Sequence, residues 1–140
     1  MAEYRPHNAW MAKQFKLLKR PRGDILYRDA LLHASFIEGC VRNRGKGRRP
    51  NFHDDIQWLY VHKKITDKER RAFHRVREAR NKLVHRIVTE MASQEQVEQW
   101  RDDLMNRVLK AYWMSPFLND ELFTRYNIPK KDLPKPGPAV

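Results

Sequence analysis

Hydrophobic positions along this 140-residue chain recur at spacings of three and four. No strict alternation appears between Asn-Gly or Asp-Gly turns, so helices are predicted and strands are not. A first helix starts after Asn8, carries Trp10, Met11, Phe15 and Leu18 on one stripe, and stops before Pro21. The second begins near Asp24, a good N-cap, and runs through ILYRDALLHASFIEGCVRN. Its apolar residues cover most of its circumference, which marks a central helix. Glycines and arginines between Arg44 and Arg49 break it into a loop. HDDIQWLYVHK is a shorter helical piece with Ile56, Leu59 and Tyr60 inward. Thr66 and Glu69 then form a capping box that opens the longest helix, over residues 67–91. A further amphipathic helix over 94–113 presents Val97, Trp100, Leu104, Val108 and Tyr112, and PFLNDELFTRYNIP adds a turn or two. The segment PKKDLPKPGPAV, with four prolines, reads as an extended, mobile tail. The pattern therefore predicts one domain over 1–126, a Pro-rich flexible tail over 127–140, and an all-α, four-to-five-helix up-and-down bundle.

The longest helix contains an irregularity. At about 100° per residue from Phe73, the residues Val76, Leu83, Val84, Ile87 and Met91 fall within about 80° and form the expected core stripe. Arg80 falls inside that stripe. A guanidinium stays charged, and burying it without a partner is very costly, so it must reach a carboxylate, a partner subunit or a bound anion. Glu38, in the middle of the central helix, is the carboxylate within reach if those two helices pack side by side. His74, Glu78, Asn81 and His85 form a polar stripe along one margin of the same face.

Charge adds a second theme. The chain carries 29 Lys+Arg against 17 Asp+Glu, a net charge of +12. A field of that sign draws polyanions, of which nucleic acid is the common one. Two segments are densest, KLLKRPR and RNRGKGRRP, and the second is Gly-containing and arginine-rich. Arg42, Arg44, Lys46, Arg48 and Arg49 are thus candidate phosphate contacts rather than base readers. The single Cys40 excludes an internal disulfide, and on an apolar helix it reads as an inert small hydrophobe. His33, among apolar residues, reads as a hydrogen-bonded core histidine. No apolar run reaches the ~20 residues of a membrane span, and MAEYRPHNAW lacks a signal-peptide core, so a cytoplasmic location is expected. His74, Glu78 and His85 spread over three turns, too far for one metal ion.

The stretch RNKLVH, residues 80–85, resembles the R-x4-H motif of HEPN domains, in which a polar residue follows the arginine. The flanks are similar: an amphipathic WLYVHKKITDKE before a capped long helix, the motif past that helix's middle, and an upstream helix with a mid-helix glutamate, here Glu38. The likeness covers residues 24–113. It implies a HEPN-like bundle and catalytic roles for Arg80, Asn81 and His85, supported by Glu38. Many members are metal-independent endoribonucleases without a cofactor, working as homodimers that join two motifs in one cleft, often as toxins held by an antitoxin or as anti-phage effectors. Others are non-catalytic modules that bind nucleic acid, a nucleotide or a protein partner. The residue chemistry suits RNA cleavage by its own 2′-hydroxyl: His85 exchanges protons near neutral pH, and Arg80 is a forked cation for phosphoryl oxygens. One such histidine per chain is thin for both acid and base work, which favours a symmetric dimer.

Overall fold

The computed structural model describes residues 27–47, 49–89, 93–133 and 136. Five helices follow one another: α1 (Tyr27–Arg44), α2 (Phe52–Val61), α3 (Asp67–Thr89), α4 (Gln94–Met114) and α5 (Pro116–Tyr126), then a 3₁₀ turn at Lys130–Asp132. No strand occurs among the described residues, so the molecule is an all-α bundle. The expected helix carrying Trp10, Met11, Phe15 and Leu18 lies outside the described residues, as do Arg48, Met91 and the side chain of Ile87.

Local chemistry sets the helix starts. Asn51 accepts from the Asp54 amide at 2.9 Å to open α2. Thr66 and Glu69 form the expected reciprocal box, with the Glu69 amide donating to Thr66 Oγ1 and the Thr66 amide to Glu69 Oε1, each at 3.1 Å. Ser93 and Gln96 cap α4 in the same way. Ser115 closes α4 and opens α5, its hydroxyl accepting from the Leu118 amide and donating to Glu69 Oε2 at 2.6 Å. Glu69 is therefore buried with both oxygens occupied.

α3 and α4 pack antiparallel, since Lys82 lies near Trp100 at one end while Lys68 and Met114 line one cleft at the other. α1 packs against α4, and also against α2, α3 and α5. The core joins Ile37 and Val41 of α1, Ile56 and Leu59 of α2, Phe73 and Leu83 of α3, Leu104, Val108 and Tyr112 of α4, and Leu118 and Leu122 of α5. Each such side chain taken out of water contributes about 1.5–3 kcal/mol.

Several expectations need correction. The buried face of α3 comprises Glu69, Phe73, Val76, Ala79 and Leu83, so its centre is rotated about 60° from the Phe73 line. The small Ala72 and Ala79 let α4 approach on that side. Val84, expected in the core, is instead 47% exposed. Arg80 stays within the range of angles of that buried face but is only partly buried. Tyr60, expected inward, is exposed beneath the Arg70 guanidinium, 4.7 Å from its ring centre. α5 is a full helix of 11 residues, longer than the turn or two expected. Residues after Tyr126 do not leave the bundle at once. Asn127 ends α5 in the left-handed conformation, and Ile128 and Leu133 are buried against the core. The apolar side chains at 128 and 133 outweigh the proline-rich composition around them.

His33 is a core residue as expected, its Nδ1 hydrogen-bonded to the Tyr112 hydroxyl at 3.1 Å. Burial lowers its pKa from 6.5 to about 4. The unfolded chain therefore takes up a proton at higher pH than the native state does. Stability is fully present above pH 6.5 and is lost as pH falls toward about 4, by about 3 kcal/mol in all. Denaturant titrations across that window should show a smaller loss in His33→Gln than in the wild-type chain, the remainder including the share of His74, whose pKa is also lowered to about 4. Equal slopes in both proteins would assign the acid sensitivity to other groups. Cys40 is also buried, with its thiol pushed up to about 12 mainly by that burial, as an inert core cysteine requires.

Candidate functional site

Where α1 passes α3, Glu38 and Arg80 meet in an ion pair through Oε1 and Nη1. Each side chain is 24% exposed. The Arg80 guanidinium also lies 5.9 Å from the ring centre of Phe52, at the start of α2. The charge on the long helix thus reaches a carboxylate on the helix the sequence pointed to. Beyond it, Asn81 and His85 are both exposed, at a four-residue spacing that puts them on adjacent turns of one helix face. The exposed Val84 sits between them, so this part of α3 presents a mixed polar and apolar surface.

One turn further along α1, Arg42 forms a second ion pair, with Asp55 of α2, at 3.0 Å from Nε to Oδ2. Asp55 is completely buried, and this burial pushes its pKa up against the opposing pull of Arg42 and Arg49. Gly45 closes over the carboxylate so tightly that a Cβ there would lie 3.0 Å from Asp55 Oδ1. Arg42 also donates to the carbonyl of Arg49 at 2.8 Å, and Arg49 donates to the carbonyl of Gly45. The Arg49 guanidinium lies 3.8 Å from the centre of the Trp58 ring. Arg44 donates to the Lys64 carbonyl at 3.3 Å and covers the Phe117 ring. Two of the five loop cations expected to meet phosphate, Arg42 and Arg49, therefore hold the 42–49 loop together, and a third, Arg44, ties it to Lys64 and Phe117. Lys46 is exposed, with φ of 62° in the left-handed region.

The structure thus joins Glu38 to Arg80, sets Asn81 and His85 beside each other on α3, and gathers Arg42 and Arg49 in a neighbouring knot over Asp55. Sequence patterning missed a histidine pair on α2 and α3. The rings of His53 and His74 are 5.1 Å apart, in a hollow shared with Gln57, Arg70, Arg71 and Arg77. His74 is lowered to about 4 by burial, then by its neighbours Arg77, His53 and Arg70. It is neutral at pH 7. The signal available in sequence was only the placement of His74 on the polar margin; His53, on another element, offered none.

No described helix is long and apolar enough to cross a membrane. Neither a family model, nor a curated protein, nor a solved structure matches this chain.

Proposed function

We propose that the chain is a metal-independent endoribonuclease of HEPN type, acting as a homodimer and serving as a toxin or anti-phage effector. The observation that carries this reading is the Glu38–Arg80 pair, which fixes a forked cation on α3, with the exposed Asn81 next to it in the chain and the exposed His85 on the following turn. His85 takes the proton from a ribose 2′-hydroxyl. That oxygen attacks the adjacent phosphorus, the bond from phosphorus to the 5′-oxygen breaks, and the leaving oxygen receives a proton. Arg80 has five N–H donors, so pairing through Nη1 leaves others for the charged phosphoryl oxygens. Asn81 donates to the phosphate or orients the histidine. The partner's equivalent His85 supplies the second proton transfer, and the exposed Val84 gives the dimer an apolar contact at the centre of the site.

The purified chain should cleave single-stranded RNA equally in buffer and in excess EDTA, leaving 2′,3′-cyclic phosphate ends. Absence of cleavage under both conditions would sink this reading. It would favour a non-catalytic module that binds nucleic acid, a nucleotide or a protein such as an antitoxin. One observation already leans that way: Arg80 has a carboxylate partner within its own chain, as a structural brace between α1 and α3 would.

A further inference from the structure

The antiparallel α3–α4 pair encloses a cleft of about 190 Å³ on the outer side of the bundle. Lys68, Arg71 and Arg75 come from one wall, Arg107 and Lys110 from the other, and Met114 closes one end. The spacings on α3 are three and four, so the three cations lie on one face and span about 10 Å of helix axis. Arg71 is paired with Asp67 at 3.1 Å and Arg107 with Asp103 at 3.4 Å. Lys68, Arg75 and Lys110 have no ion-pair partner among the described residues. The cleft thus holds an excess of positive charge that the fold itself does not neutralise.

We propose that this cleft binds the sugar-phosphate backbone of a single nucleic-acid strand. Cations from two facing walls grip a phosphate from both sides, and the length of the row accommodates successive phosphates. Ala72 and Met114 are the only apolar residues of the lining, and its other apolar surface is the methylene stems of the lysines and arginines. No aromatic or branched side chain offers the anchor a protein partner normally needs, whereas phosphate binding draws its affinity mainly from charge. No aromatic ring lines the cleft, so the contact is with backbone and is indifferent to base identity. Arg71 and Arg75 also line the hollow containing His53 and His74. The positive band therefore continues around α3 toward the face that carries Asn81 and His85. The assignment stands apart from catalysis, since a chain that bound RNA without cutting it would keep this surface.

The test uses a fluorescein-labelled 2′-O-methyl RNA, whose blocked hydroxyl makes cleavage impossible, with binding followed by anisotropy over a range of salt. A Lys68→Ala, Arg75→Ala, Lys110→Ala triple variant is compared with Lys63→Ala, Lys64→Ala, Lys131→Ala, which removes the same charge from exposed lysines elsewhere. The cleft variant should bind at least about fivefold more weakly, and its slope of log affinity against log salt should flatten by about two, at ~0.7 per lost phosphate contact. The control should lose much less. Equal losses in both variants would reduce the effect to net charge and overturn the proposal, as would no loss in the cleft variant. Displacement of the RNA by polyglutamate at matched charge would reassign the cleft to an acidic polypeptide. Circular dichroism melting curves confirm that both variants fold.

Discussion

His85→Ala should slow RNA cleavage by a factor of about 10² to 10⁴, the usual worth of a positioned general base, while leaving the melting temperature nearly unchanged. The separation of the two effects follows from where the residue stands. His85 is exposed on α3, so truncating it opens no cavity. Surface changes of that kind stay within about 0.5 kcal/mol. Single-turnover cleavage and a thermal melt on the same preparation read both quantities. Cleavage by the alanine variant at the wild-type rate would remove His85 from the chemistry. Arg80 demands a subtler comparison, because Arg80→Ala also strands Glu38. Arg80→Lys keeps the positive charge for Glu38 but loses the planar fork, so it should retain most of the stability and little of the activity. If Arg80→Lys retained full activity, Arg80 would be a brace only.

Arg42→Ala should destabilise the fold by about 3 kcal/mol at neutral pH, near the lower end for breaking a buried ion pair. The carboxylate left behind is fully buried under Gly45, and Arg49 alone cannot replace the lost partner. The lower end is appropriate because the Arg42 side chain is itself 31% exposed. The sign with pH is definite. Asp55 already has a raised pKa in the native state, and loss of Arg42 raises it further. The native variant therefore holds its proton to higher pH than the unfolded chain, and its deficit relative to wild type narrows as the solution is acidified. The acid sensitivity of His33 is common to both proteins and cancels from the difference. Urea titrations at neutral pH and at about pH 5 measure this directly, and Asp55→Asn in the Arg42→Ala background should recover part of the loss. A deficit that widened on acidification would contradict the role assigned to the pair.

These two sites also show what a single sequence discloses. The capping box at Thr66 and Glu69, the buried His33 and the inert Cys40 were readable because each depends on near neighbours in sequence or on one helix face. The pairing of Glu38 with Arg80 was readable because a charge among core residues has few acceptable partners. Asp55 was not readable. Two adjacent acids at a helix start look alike, and only the approach of α1 and Gly45 buries one of them and leaves its neighbour Asp54 half-exposed. The intramolecular contacts of the arginine loop were hidden for the same reason, since its carbonyls and the Trp58 and Phe117 rings engage cations the sequence offered to phosphate. The basic cleft was invisible because its walls are more than thirty residues apart in the chain, and neither wall is remarkable until α4 folds back on α3.

One small group of atoms couples distant parts of this bundle. The Glu69 carboxylate satisfies the first turn of α3 with one oxygen and, through Ser115, the junction of α4 and α5 with the other. Two helix beginnings far apart in sequence thus share a single lock. Fraying the first turn of α3 releases the serine, and fraying the start of α5 releases the glutamate. Lys68 and Met114, next to these two residues in the chain, stand across the same end of the cleft. Its width there is therefore set by one buried carboxylate instead of by two independent helices.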